Sequence, residues 1–285
     1  MADRIVSRLF GGAGNRLFQY AAGRALADKL GCALELDMRY SEGNVDRGDC
    51  FAHFRNTRFE IATDLPPAKS DGLLRYNLWR AFGQNPRFVR ERGLGFNSGF
   101  FSQRPNIYLH GYWQSQNYFG SDIAQLRRDL VFTTELDQSN ADMAARISDA
   151  NVSVAVHVRR GDYLASGSFA SCTPEYYRTA VSTLHSRLDA DLTCFVFSND
   201  PGWARDNLDL GQETVVVDIN DEKTGHFDMH LQSLCAHNVI ANSTFSWWGA
   251  WLNPNPDKIV VAPKNWFNDP KLSNPDLIPD GWTRL

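Results

Sequence analysis

The second half of the chain carries the pattern that most constrains its fold. Short, nearly continuous apolar runs at 152–158, 193–197, 214–217, 239–241 and 258–261 alternate with helix-length segments at 174–188, 228–236 and 245–252. Apolar runs of this length bounded by helices predict strands buried on both faces, and hence a parallel sheet with helices on either side. Thr173 and Pro174 suit the start of the first of these helices. In such sheets ligands bind beyond the carboxyl ends of the strands. The first half begins in the same way, with a strand at 5–9, a glycine turn, a helix at 15–30 stopped by Gly31, and a strand at 33–37. A further strand is predicted at 107–110 and helices at 118–130 and 141–147. The stretch 41–105, rich in Gly, Asn, Arg and aromatics, is expected to form loops and short helices. Two domains are expected, 1–150 and 151–285.

Composition narrows the function. The 29 basic and 33 acidic side chains leave a net charge of −4, which argues against a nucleic-acid partner. With 43 % hydrophobic and 22 % charged residues, the chain has the composition of a globular protein, which argues against disorder. Cys32, Cys50, Cys172, Cys194 and Cys235 are widely spaced without a C-x-x-C pair, as expected of reduced thiols in a cytosolic protein. Arg4 and Arg8 interrupt the amino-terminal apolar residues, and no window approaches the length of a membrane span. These features predict a soluble, cytoplasmic protein. Between Gly72 and Ser121 the only acid is Glu91, against six arginines. That segment is read either as a solvated basic face or as a contact with an anionic lipid-linked acceptor or membrane surface.

The candidate chemistry falls at strand ends. Gly11-Gly12-Ala13-Gly14-Asn15-Arg16-Leu17 turns into a helix, an arrangement that lets a ligand approach the backbone. Leu17 at the sixth position, with the polar bulk of Asn15 and Arg16, weighs against a dinucleotide fingerprint. A plain tight turn is the other reading. In His157-Val158-Arg159-Arg160-Gly161-Asp162, the two-residue strand period puts His157 and Arg159 on one face and Arg160 on another. A guanidinium fork there suits a diphosphate, or else pairs with Asp162. Asn242, Ser243, Thr244 and Ser246 open a helix with more hydroxyls than capping alone requires. Trp248, Trp251 and Leu252 share a core-facing stripe of that helix. Asp228 is either a partner of the helix dipole or an acceptor for a nucleobase. Ser198 to Pro201 is expected to be a simple turn. Asp189-Ala190-Asp191 lies at the wrong end of the sheet for a metal site, and no zinc or Walker signature occurs.

The motifs GGAGNRLFQYA, HGYWQSQNYF, HVRRGDY, DMHLQSLCAHNVIANSTFSWWGAWL and KIVVAPKNWF resemble those of glycosyltransferase family 11, the α-1,2-fucosyltransferases. The resemblance runs in family order from residue 11 to about 267. It implies an α/β fold of the GT-B type, with two Rossmann-like domains facing across a cleft. It further implies GDP-fucose as donor, inversion at the anomeric carbon, no essential metal or other cofactor, and a galactose-containing oligosaccharide or lipid-linked glycan as acceptor. The second reading of the arginine-rich segment adds a peripheral contact with the inner face of a membrane.

Carried onto this sequence, His157, Arg159, Arg160 and Asp162 occupy the HxRRxD motif, with Arg159 on the β-phosphate. Asp228 would hold guanine, and Asn242, Ser243, Thr244 and Ser246 would lie at the donor. Gly14, Asn15 and Arg16 would lie on the cleft in the first, acceptor-side domain. Arg16 replaces the usual Gln and Gln232 a common Met, and Arg16 is expected to face the cleft and influence acceptor choice. For the general base Asp37 and His157 are the candidates, His157 being also read as a residue that orients Arg159. Another GDP-sugar transferase of the same fold, or a silent nucleotide-sugar or glycan-binding module, are the alternatives.

Overall fold

The computed structural model describes residues 3–39, 50–160, 172–269 and 272–285. The chain forms two compact units, Met1–Val131 with Asn274–Leu277, and Phe132–Ser273 with Ile278–Leu285. The division falls at 131/132 where 150/151 was expected. The intervening helix Gln138–Asp149 belongs to the second unit because Ile147, Met143 and Ala144 pack against its sheet residues Phe195, Phe197, Val215 and Val217.

The first unit contains a parallel five-stranded sheet in the order β3-β2-β1-β5-β4. Its strands are β1 (Arg4–Arg8), β2 (Ala33–Asp37), β3 (Glu60–Ile61), β4 (Arg87–Arg90) and β5 (Ile107–His110). The helix Ala13–Leu30 buries Leu17, Phe18, Tyr20, Ala21, Ala22 and Leu26. It lies so close to the sheet that a Cβ at Gly23 would approach Leu34 to 2.9 Å and Ser7 to 3.1 Å. Gly31 ends it in the left-handed region, donating to the Ala27 and Asp28 carbonyls as a helix-terminating glycine does. The stretch expected to be irregular holds β3, β4 and the helix Leu73–Phe82. The edge strand β4, Arg-Phe-Val-Arg, carries two apolar residues between charged ends and so gives almost no periodic signal. The helix expected over 118–130 is broken at Gly120, whose φ is +74°. Only Ile123–Asp129 is α-helical, capped by Asp122 on the Gln125 N–H.

Two contacts fix the carboxyl-proximal segment in this unit. Asn274 Nδ2 donates to the Gln114 carbonyl at 2.9 Å, and Asp276 accepts from the Phe96 N–H at 2.8 Å.

The second unit contains a parallel six-stranded sheet in the order β11-β10-β9-β6-β7-β8. Its strands are β6 (Ser153–Val158), β7 (Thr193–Ser198), β8 (Glu213–Val217), β9 (His237–Val239), β10 (Val260–Ala262) and β11 (Thr283–Arg284). Alternate residues serve opposite faces. Val154, Val156, Val158, Cys194 and Val196 meet Tyr177, Ala180, Val181 and Leu184 of the helix Pro174–Leu188. Ala155, Phe195 and Phe197 meet Ile147, and Leu231 of the helix Gly225–Leu234. Two buried faces explain why these strands read as continuous apolar runs. Ser198 to Pro201 is more than a turn, since Asp200 accepts from the Trp203 N–H at 3.1 Å and caps the helix Pro201–Asn207. Trp247, Trp248 and Trp251 are core residues. All five cysteines are free thiols. Among the described residues no helix is long and apolar enough to cross a membrane.

Candidate functional site

In the second unit the chain proceeds from β6 to β7 and β8 on one side and later fills β9, β10 and β11 on the other. The strand order therefore reverses between β6 and β9, the crevice where open α/β sheets bind ligands. His157 and Arg159 leave the end of β6, and Asn242 to Ser246 follow β9. Two segments singled out from sequence thus meet at one switch point. Asp162 lies outside the described residues.

The two arginines are separated as the strand period predicts. Arg160 is engaged on its own face: its N–H donates to Asn199 Oδ1 at 2.9 Å, and its guanidinium stacks on Trp203, 3.7 Å from the ring centroid. Asp200 lies 3.8 Å away. Arg160 therefore joins β6 to the start of the helix Pro201–Asn207. His157 is buried beside Phe245 at a centroid distance of 5.7 Å. Among the described residues its Nδ1 has no hydrogen-bond partner. Burial, reinforced by the charge of Arg159, pushes its pKa down to about 3. A neutral imidazole with so low a proton affinity is a poor base at neutral pH.

The helix Thr244–Leu252 begins after Ser243, whose side chain makes no capping bond. Its first-turn N–H groups are not satisfied by a side-chain cap and are oriented to receive an anion. The hydroxyls expected here are not equivalent. Ser246 is fully buried and its Oγ donates to the Ser243 carbonyl at 3.2 Å, so it braces the turn. Asn242 is likewise buried, its Nδ2 donating to the Trp266 carbonyl at 3.0 Å. Ser243 and Thr244 remain as hydroxyls beside the helix end.

Asp228 lies in the first turn of the helix Gly225–Leu234, three residues inside its start rather than opening it. Burial raises its pKa to about 6, with nearby Asp218 adding to the rise and the Asn220 hydrogen bond opposing it. Asn220 donates to Asp228 at 2.7 Å and exchanges hydrogen bonds with Asn140. Neither asparagine was legible as part of this site, since the pairing spans 80 residues of chain. At the amino-terminal ends of β6, β7 and β8 lies an open depression of about 780 Å³ lined by Asp149, Asp191 and Glu213 among others. It lies away from the switch point, and its charged lining residues, Asp149, Asp191, Asp209 and Glu213, are all acidic. Among the described residues no cluster has the composition of a metal site.

The first unit has its own switch point, between β1 and β5. Gly11, with φ +80°, forms the turn after β1, and a Cβ there would come within 2.6 Å of Asn15 Nδ2. Gln114, after β5, donates to Asn15 Oδ1 at 2.8 Å across the switch. Gly14 is buried in the helix start. Arg16 does not face outward: it is 2 % exposed, and its Nε donates to the Gly11 carbonyl at 3.1 Å. Its length lets it fold back to close the glycine turn.

Asp37 is also corrected. It ends β2 as expected but is 0 % exposed. It accepts from the Arg39 N–H, from the Arg39 guanidinium through both oxygens, and from the Tyr108 hydroxyl. Burial alone would raise its pKa, but the hydrogen bonds from Arg39 and Tyr108 outweigh it and hold the carboxyl below its usual range. A carboxylate so enclosed is a structural tie, not a base.

Glu91 stands out in the sequence only as a lone acid among arginines, not as a candidate base. It follows β4, and its two oxygens accept from the Tyr112 and Trp113 N–H groups at 2.7 and 3.0 Å. Burial pushes its pKa up to about 7 against those two stabilising bonds. Its isolation among arginines was the available signal.

Comparison with known proteins follows the same lines. The profile of the family described as glycosyl transferase family 11 matches residues 87–285. The chain is similar to an Escherichia coli protein named alpha-1,2-colitosyltransferase, 31 % identical over 99 % of this chain and 98 % of that one. It is equally similar, at 31 % identity over 99 % and 100 % of the two chains, to the E. coli O-antigen biosynthesis glycosyltransferase WbnK. The human galactoside alpha-(1,2)-fucosyltransferase 1 is 27 % identical over 52 % of this chain and 43 % of its own. Among solved structures, Arabidopsis thaliana FUT1 in complex with GDP aligns with a TM-score of 0.56 at 14 % identity, covering 91 % of this chain and 70 % of that one. The fucosyltransferase NodZ from Bradyrhizobium aligns with a TM-score of 0.50 at 15 % identity, covering 89 % and 94 %. At such identities the structural likeness concerns the fold, which is α/β of the GT-B type.

Proposed function

The chain belongs to glycosyl transferase family 11, and from that premise we propose that it is an inverting α-1,2-fucosyltransferase that moves L-fucose from GDP-fucose to the 2-hydroxyl of a β-galactoside. The observation that carries this reading is the switch point of the second unit, where Arg159 and an uncapped helix end occur together. In the reaction the bond from the anomeric carbon to the β-phosphate oxygen breaks, the acceptor oxygen forms the new bond on the opposite face, and GDP departs with the bonding electrons. Negative charge grows on the β-phosphate. Arg159 and the N–H groups of the helix Thr244–Leu252 stabilise it, Ser243 and Thr244 line the diphosphate, and Asp228 accepts from guanine. No resident metal or other cofactor enters this scheme. Full activity in excess EDTA is expected, and loss restored by Mg²⁺ would overturn that part of it.

The acceptor hydroxyl gives up a proton as it attacks. In this reading Glu91 receives it: like Asn15 and Gln114 it lies beyond the carboxyl ends of the first sheet's strands, and burial raises its proton affinity toward neutral pH. The first unit binds the acceptor glycan and the second the donor.

A second reading concerns the donor sugar. The full-length relative named alpha-1,2-colitosyltransferase favours GDP-colitose, whose sugar is L-fucose without its 3-hydroxyl. The test is to incubate the protein with GDP-fucose or GDP-colitose and a β-galactoside, following released GDP and glycosylated product. Transfer from GDP-fucose alone supports the first reading and preference for GDP-colitose the second. GDP binding with no transfer from either donor to a panel of galactosides refutes both.

A further inference from the structure

The helix Leu73–Phe82 is built the wrong way round for a soluble surface. At 3.6 residues per turn, Leu74, Leu78 and Phe82 form one stripe, opposite the face that carries Tyr76 and Trp79. The inner face is well anchored: Tyr76 is buried, Trp79 Nε1 donates to the Pro86 carbonyl at 3.0 Å, and Arg80 stacks over Tyr76 and Phe88. The outer face is apolar. Leu73 is 65 % exposed, Leu74 76 %, Leu78 51 % and Phe82 74 %. Isolated exposed leucines are ordinary, but Leu74, Leu78 and Phe82 aligned on one face of a ten-residue helix, with exposed Leu73 at its start, form a patch of the kind that marks a contact surface.

The surrounding charge selects the partner. Arg75 borders the stripe, and Arg87 and Arg90, at the two ends of β4, are exposed. Glu91, the only acid from 72 to 121, is turned onto the Tyr112 and Trp113 N–H groups. Asp71, just before the helix, accepts from the Ala68 N–H. An apolar stripe with an arginine beside it, in a segment whose exposed charges are mostly guanidinium groups, is the pattern of a helix that lies in the plane of an anionic bilayer.

We propose that the helix Leu73–Phe82 docks this protein onto the surface of an anionic lipid bilayer, with Leu74, Leu78 and Phe82 inserted at the headgroup boundary and Arg75 and Arg90 on lipid phosphates. Vesicle binding is read without donor or acceptor, so this inference stands apart from the proposed reaction. The full chain is sedimented with phosphatidylcholine vesicles with and without phosphatidylglycerol. Binding is expected to the anionic vesicles, weakened by salt. The triple variant Leu74→Ser, Leu78→Ser, Phe82→Ser is expected to bind at least about tenfold less, and Arg75→Ala about fivefold less. The circular dichroism spectrum and melting temperature should be unchanged in both variants, which certifies folding. Absence of wild-type binding, equal binding to neutral vesicles, or undiminished binding by the triple variant overturns the proposal. So does a wild-type dimer that the triple variant dissociates without change in vesicle binding, which would make this face an interface between two copies.

Discussion

Arg159 and Arg160 are neighbours in sequence with different work to do. Arg160 is committed to Trp203, Asn199 and Asp200, whereas Arg159 shares a strand face with His157 at the switch point. Arg159→Ala should lower kcat by about a hundredfold, on the order of 3 kcal/mol, with little loss of melting temperature. Arg159→Lys should restore only part, because an ammonium lacks the bidentate fork. Arg160→Ala should mainly lower thermal stability. Single-turnover transfer measured beside thermal melting separates the two. Asp228, raised to about 6 by burial, makes a second test. If its ionised form accepts from guanine, GDP affinity should fall about tenfold for each pH unit below 6. Calorimetric titrations of Asp228→Asn should show weaker binding without that slope. Glu91 predicts a second acid limb, this one in kcat. With a pKa near 7, kcat should rise with pH through neutrality as the carboxylate forms. Glu91→Gln should remove that limb, whereas a purely structural Glu91 would leave the profile intact and lower only stability.

At the scale of elements, Asp37 ties β2 to β5 across the intervening β1 through the Tyr108 hydroxyl. Asp37→Ala should cost on the order of 3 kcal/mol by stranding that hydroxyl and breaking the Arg39 hydrogen bonds. Turnover per folded molecule should be nearly normal, and denaturant titration with single-turnover assays checks both. The case also shows what the sequence conveys. The position of Asp37 at a strand end is readable from its apolar neighbours, but its enclosure depends on Tyr108, 71 residues away. Arg16 is similar, since a helix-start arginine looks outward until its side chain is seen folded onto Gly11. The strands of the second unit were legible because both their faces are buried, which makes the apolar runs continuous. The edge strand β4 and the helix Leu73–Phe82 were not: the first is too short and charged to show a period, and the second turns its apolar side outward.

For the whole molecule, the unit boundary has a practical meaning. Chimeras between relatives that exchange 1–131 together with 274–277 keep the helix Gln138–Asp149 beside its own sheet. They should carry acceptor preference with the exchanged part, leave donor choice unchanged, and melt near the parental temperature. A junction after residue 150 puts foreign side chains at Met143, Ala144 and Ile147, inside a packed cluster. Such mismatches cost about 1 to 3 kcal/mol each, and scanning calorimetry should show a melting point lower by several degrees.

The segment Asn274–Leu277 gives the chain an unusual calendar. A nascent polypeptide has made all five strands of the first sheet once His110 has emerged. The loops carrying Phe96 and Gln114 nevertheless wait for Asp276 and Asn274, which are translated after nearly all of the second unit. Order of synthesis and order of completion therefore differ. For most of its time on the ribosome the first unit lacks two of its fastenings, and in that interval those loops are the places open to a chaperone or a protease.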